Sequence, residues 1–247
     1  MKNRFQVSGL GTRGYGRSPD GAAFTLIEMI VVISIIGLLA ALIIPIAAGA
    51  KRAQMRTRAR TEMAQVETAI EEYKSKQGYY PPDNAPNWAL NQLYYELEGV
   101  TNSLGTYQTL DGNSQIASGS LGAVYGPNVA GFMNNAKGGD EGPTAQNFFR
   151  GAKATQYLAV TNGSSAVQFT VFGMLSTYAP GPTLLQSPTD PTGSNPNLKI
   201  NPWRYNSSSP KYNTKTFDLW MDIIVGGETN RICNWSPERP IKVTTPY

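Results

Sequence analysis

Apolar positions along the chain fall into three regimes. From Met29 to Ala50 there are 22 consecutive residues without a charged side chain, with Ile, Leu and Val on every face of a 3.6-residue period. A bilayer core of about 30 Å takes roughly 20 helical residues, so the run has the length of a membrane span. From Met55 the pattern changes. Met55, Ala59, Met63, Val66, Ile70 and Tyr73 recur at steps of three and four, while Arg58, Arg60, Glu62, Glu67, Glu71 and Lys74 mostly take the other faces. This predicts an amphipathic helix ending near Gln77-Gly78, because Pro81-Pro82 cannot resume it. Beyond residue 79 the periods shorten. Residues 88–97 (WALNQLYYEL) read as a short helix, and 156–161, 166–172 and 217–225 read as strands rich in β-branched and aromatic side chains. Gly138-Gly139, 179–182 and 187–197 carry loop signals.

The fold class expected from this pattern is α+β. A long N-terminal helix, membrane-spanning in its first half and amphipathic in its second, carries a C-terminal, mainly antiparallel β head with long loops.

Charge alters the picture only at the N-terminus. The chain has 21 Lys and Arg against 17 Asp and Glu, but Lys2, Arg4, Arg13 and Arg17 precede Phe24 against Asp20 alone, which leaves 17 against 16 for the remainder. A nearly neutral body gives no ground for nucleic-acid binding. Histidine is absent and Cys233 is the one cysteine of 247 residues. Imidazole catalysis, imidazole-ligated zinc and an internal disulfide are therefore excluded, and Cys233 reads as a small buried hydrophobe.

One carboxylate stands at the edge of the apolar run. Glu28 has no basic residue within one helical turn, and a charge in an apolar environment calls for a partner or a task. Three readings of the run compete: a buried core helix, a cleaved secretory signal ending at Ala48-Gly49-Ala50, and a segment whose partner for Glu28 is created by proteolysis. Cleavage before Phe24 would place a new ammonium about one turn from Glu28, able to pair with it in the same chain or in a neighbour.

The third reading coincides with a resemblance. GAAFTLIEMIVVISIIGLLAALIIP (residues 21–45) resembles the N-terminal segment of type IV prepilin-like proteins, most similarly that of the major pseudopilins of type II secretion systems. Glu28 is fifth from Phe24, Gly37 fourteenth and Pro45 twenty-second, the places of the family's acid, glycine and proline; Ala23 stands where the family usually has glycine. The resemblance implies that prepilin peptidase cuts between Ala23 and Phe24 and that the Phe24 amine is N-methylated. It also implies that Glu28 meets a neighbour's amine during assembly, and that the stretch between Gly37 and Pro45 partly unwinds in the filament. The implied organisation is a basic leader (1–23, removed), a transmembrane and filament-core helix (24–50), an amphipathic extension (51–78) and a globular head (79–247).

Head residues extend the resemblance. Gly78-Tyr79-Tyr80-Pro81 follows the helix as in major pseudopilins, and Asn201-Pro202-Trp203-Arg204-Tyr205, Phe217-Asp218-Leu219 and Ile232-Cys233-Asn234-Trp235 follow the order of a family series. In that family an acidic loop in this region holds calcium, which takes six to eight oxygens. Asp218, Asp222, Glu228 and Asn230 are the candidates here, with Arg231 opposing; a glycine turn joining two strands is the plainer reading. No other cofactor is expected.

The function implied is that of a non-enzymatic structural subunit of a type II secretion pseudopilus driving protein export. Its implied partners are prepilin peptidase, copies of itself, minor pseudopilins and an inner-membrane assembly platform, and its implied location is the bacterial inner membrane, single-pass with the head periplasmic. Two alternatives stand beside it: a type IV pilus subunit for adhesion, motility or DNA uptake, and a secreted binding or enzymatic domain behind a signal peptide.

Overall fold

The structure is a computed structural model that describes residues 24–136, 144–161, 167–188 and 198–244, with the side chains of 42–48 outside the description. The chain divides into two compact units, Met1–Ala47 and Ala48–Tyr247.

Helix α1 runs from Leu26 to Gln77. It stops where the sequence placed its end. Gly78 takes a φ of +86°, its N–H donates to the Lys74 carbonyl at 2.9 Å, and the Lys74 ammonium donates to the Gly78 carbonyl at 2.7 Å. A left-handed residue satisfies a helix-end carbonyl that would otherwise lack a donor, and glycine enters that region without a Cβ clash.

The rest of the chain alternates short elements. Helix α2 (Leu93–Glu98) leads into strands β1 (Val100–Ser103), β2 (Thr106–Thr109) and β3 (Gln115–Ala117), then a 3-10 turn (Ser118–Ser120), helix α3 (Leu121–Tyr125) and β4 (Asn135–Ala136). These strands form one sheet in the order β3-β2-β1-β4, antiparallel except for the parallel β1–β4 pair. A second sheet, ordered β5-β6-β8-β7, takes β5 (Tyr157–Thr161), β6 (Gln168–Leu175), β7 (Leu185–Gln186) and β8 (Lys199–Pro202). The third, ordered β12-β11-β10-β9, takes β9 (Arg204–Asn206), β10 (Asp218–Val225), β11 (Glu228–Cys233) and β12 (Ile241–Lys242). Gly226 and Gly227, at φ +66° and +84°, make the β10–β11 turn. Two successive positive φ values match the twist of a tight hairpin and favour glycine at both positions.

Alternation decides which face of β10 is inside. Leu219, Met221, Ile223 and Val225 join the core that also takes Ala59, Met63, Val66, Ile70 and Tyr73 of α1. Each fully buried side chain of this kind contributes roughly 1.5–3 kcal/mol. Ala69 is buried with them, whereas Met55, expected on that face, is only half-buried.

The expected fold class is corrected on three counts. The described residues contain four helical elements, not one long helix carrying a head. Gly99 (φ +73°) and Gly126 (φ +106°) cap α2 and α3 after six and five residues. The expected helix at 88–97 is shortened from its start, because the Asn91 side chain donates to the Trp88 and Trp203 carbonyls and turns the chain before Leu93. The strands form three separate four-stranded sheets, one of them mixed, in place of a single antiparallel head. Finally, among the described residues no helix is long and apolar enough to cross a membrane, which overturns the membrane-spanning first half.

Candidate functional site

The start of α1 is built by a local signal in Thr25-Leu26-Ile27-Glu28. The Thr25 N–H and hydroxyl both donate to Glu28 Oε2, at 2.8 and 2.7 Å, and the Glu28 N–H points back to Thr25 Oγ1 at 3.3 Å. This reciprocal cap satisfies amides that the first turn of any helix leaves without partners. The backbone hydrogen bond from Thr25, followed by its hydroxyl, lowers the Glu28 pKa below the usual carboxylate value. The carboxylate thus has a structural partner that the search for a basic residue missed. The signal was in the sequence as threonine followed three positions later by glutamate. No donor among the described residues reaches Glu28 Oε1, so one oxygen of the exposed carboxylate remains able to accept from another molecule.

Around this cap the helix is apolar and exposed on all sides. Phe24 is 74 % exposed and Leu26 78 %, and Ile27, Ile30, Ile33, Ile36 and Leu39 are exposed as well. A helix apolar all round is ordinarily buried. Gly37 faces open space: a Cβ built there meets nothing within 4 Å. α1 is helical through Gly37 and Pro45, though the Pro45 side chain lies outside the described residues. Ala23, the leader 1–23 and the loop residues Gly138-Gly139 lie outside them too.

Part of the basic stretch after Ala50 is occupied within the chain. The Arg58 guanidinium bonds Glu62 at 2.8 Å and lies over the Tyr178 ring at 3.7 Å, while Arg56 donates to Asn230 Oδ1 at 3.3 Å.

The four calcium candidates are spread along the β10–β11 hairpin. Asp218 accepts backbone N–H groups from Lys211, Tyr212 and Asn213 at 2.7, 2.9 and 2.8 Å, pinning the loop before β10. Asp222 forms a two-point pair with Arg231 at 2.7 and 2.9 Å. Glu228, at the far end of the hairpin, pairs with Lys242 at 2.7 Å. The seven strand steps from Asp218 to Val225, the position opposite Glu228, span roughly 23 Å. The structure does not bring these oxygens together, and no group of three or more acidic, His or Cys side chains able to hold a metal occurs among the described residues.

The matching head motifs serve instead as latches. The Tyr205 hydroxyl donates to the Pro81 carbonyl at 3.0 Å, and Asn201 Nδ2 donates to the Asp222 carbonyl at 2.7 Å. Asn234 receives the Leu219 N–H at 3.0 Å and donates to the Phe217 carbonyl at 3.0 Å. Arg204 lies on β9 between these latches. It is half-buried, and burial, partly offset by Asp222 and reinforced by Arg231, pushes its pKa down. Cys233 is buried, and burial pushes its thiol up to about 11, so it is a poor nucleophile.

No family model and no solved structure matches this chain. One curated protein does: type II secretion system core protein G of Pectobacterium carotovorum subsp. carotovorum, 38% identical over 74 residues. The match takes 30% of this chain and spans about half of that relative's length, 47%. This partial similarity supports a pseudopilin-like relationship.

Proposed function

We propose that this chain is a structural subunit of a type II secretion pseudopilus that drives protein export, and that it performs no catalysis. The observation that carries the reading is the apolar, exposed start of α1 with the Thr25–Glu28 cap at its tip. The partial similarity to core protein G supports it. Such a segment gains most by packing against copies of itself, since each Ile or Leu removed from water contributes roughly 1.5–3 kcal/mol.

On this reading prepilin peptidase cuts between Ala23 and Phe24, and the Phe24 amine is methylated. Glu28 then offers Oε1 to the amine of a neighbouring copy while Oε2 keeps its own cap. Pairing is strong only in the dry core of a filament, where an unmatched carboxylate is costly, so the pair selects one register. Gly37 and Pro45 supply the places where α1 loosens on assembly. Further partners are minor pseudopilins and the assembly platform at the bacterial inner membrane, with residues 79–247 acting in the periplasm.

The test is the mature N-terminus of the protein isolated from its host, read by mass spectrometry. N-methylated Phe24 is expected; a chain beginning at Lys51 would mark a secreted domain and overturn the proposal. Glu28→Leu is expected to abolish cross-linkable polymers while leaving the melting temperature of Ala48–Tyr247 unchanged.

A further inference from the structure

One flank of α1 carries charge in an order that a single chain does not neutralise. Residues 51–60 hold five basic side chains and no acid, and residues 61–72 hold four acids and no base. Arg58 and Glu62 pair at 2.8 Å across one turn. No ion pair among the described residues takes up Arg56, Arg60, Glu67 or Glu71. Arg56 donates to the neutral Asn230 side chain, and Glu71 accepts from the Tyr80 hydroxyl at 3.3 Å. Arg56 Nε and Arg60 Nη2 are buried without a hydrogen-bond partner among the described residues.

At about 100° per residue these four side chains fall within about 60° of one another around the helix. Arg56, Arg60 and Glu67 are half-buried there and Glu71 is exposed. Arg56–Arg60 and Glu67–Glu71 are each like-charge pairs four residues apart, a spacing that costs helix stability. Arg60 and Glu67 stand two turns from each other, beyond the three- and four-residue spacings at which helical side chains meet. Burial, reinforced by Glu71, raises the Glu67 pKa, and no cation offsets it. Glu67 and Glu71 border a shallow trough of about 540 Å³ along the helix, lined also by Ala64, Thr68 and Ser75. These small side chains leave room for a neighbouring helix.

We propose that this flank docks a second copy of the chain, lying parallel and displaced so that its Arg56 and Arg60 stand level with Glu67 and Glu71. Arg56 to Glu67 and Arg60 to Glu71 are the same step of 11 residues. That step is close to three full turns and about 16 Å of helix. One displacement therefore answers both pairs on one flank, and two repulsions within each helix are met by attractions between helices. A second copy is the occupant because the chain itself carries the complement at the matching spacing. The contact joins the basic pair of one copy to the acidic pair of another and leaves each copy one pair to offer a third. Such a contact propagates into a fibre instead of closing as a dimer. The inference rests on the assembly reading and adds a contact to it: Glu28 acts at the start of α1, these residues along 56–71.

The test is a charge swap in the full chain expressed in its host, with polymers trapped by cross-linking. Glu67→Lys with Glu71→Lys makes a copy basic at both places, and Arg56→Glu with Arg60→Glu makes it acidic at both. Each double variant alone should lose about tenfold or more of the cross-linked polymer, because like charges then face each other. Co-expression of the two should restore it, since each finds its complement on the other. Glu238→Lys, an exposed reversal elsewhere, should leave the yield unchanged. Melting temperatures establish that the variants fold, and Arg60→Glu with Glu71→Lys as separate single variants serve if Arg56→Glu does not. Full polymer from either reversed variant alone, or no recovery when two folded variants are co-expressed, would overturn this contact and leave the Glu28 pairing standing. Absence of polymer from the unaltered chain would overturn both.

Discussion

The start of α1 and the β9–β11 region both contain acidic residues that the sequence marked as functional, and the structure employs them in opposite ways. At the start of α1 the surroundings are apolar and exposed, and Glu28 is capped on one oxygen while no donor among the described residues reaches the other. In the C-terminal sheet Asp218 and Asp222 are buried and fully engaged, with three backbone amides and with Arg231 respectively. A carboxylate whose hydrogen bonds close within its own chain holds that chain together. One left half-satisfied on an apolar surface is available to another molecule. Substitutions should therefore cost stability in the sheet and association at the helix start.

The largest effect on stability is expected at Asp222. Removing it strands the Arg231 guanidinium beside half-buried Arg204, and breaking a buried pair from one side costs about 3–5 kcal/mol. Asp222→Ala should show that loss in urea unfolding. Asp222→Leu combined with Arg231→Met should recover much of it, since the second charge is then gone as well. If the single variant unfolds with the unaltered midpoint, the contrast between a structural and an available carboxylate fails at its strongest point. Asp218→Asn is the next test. The amide keeps one acceptor oxygen but turns an NH2 toward backbone donors, so about 2 kcal/mol should be lost.

Legibility in the sequence followed the same division. The α1 face through Ala59, Met63, Val66, Ile70 and Tyr73, the Gly78 stop, and the cores of β5, β6 and β10 could be read because periodicity and glycine signals act locally. The short strands β1–β4, β7–β9 and β12 could not. Their two to four residues carry no period, and their pairing is set by distant partners such as Asn135 opposite Val100. The pairing of the calcium candidates was not legible, because in the sequence Arg231 reads only as a charge opposing them. Only the β10–β11 register reveals it as the partner directly across from Asp222.

Acidity should act with opposite sign on two carboxylates. Burial first, then Asp111, raises Glu98 from 4.5 to about 7, and burial raises Glu96 as well. The folded chain then holds protons that the unfolded chain has released, so stability should fall as pH rises from about 4.5 to about 7. Glu98→Gln should flatten that slope. Glu28 is lowered, so its contribution to the helix start is present above the ordinary carboxylate value and is lost as pH falls through the folded one. The head should become more resistant to urea as pH falls from about 7 to about 4.5, and amide exchange near Leu26 should accelerate relative to its intrinsic rate only on acidification below that.

The smallest effect sharpens the comparison most finely. Thr25→Ala removes the hydroxyl that donates to Glu28 and accepts from its N–H, a cap worth about 1 kcal/mol, whereas Thr25→Ser keeps it. The loss should appear as faster amide exchange over the first turn of α1, with the urea midpoint of Ala48–Tyr247 unmoved. Assembly then distinguishes two roles for the same carboxylate. If Glu28 serves neighbours chiefly through its free Oε1, Thr25→Ala should polymerise more slowly but to the same extent, while Glu28→Gln, which still accepts the Thr25 hydrogen bonds, should fail to polymerise. Were Thr25→Ala to block polymers as completely as Glu28→Gln, the cap itself would be the assembly determinant, and the carboxylate would belong with Asp218 and Asp222 among groups that serve only their own chain.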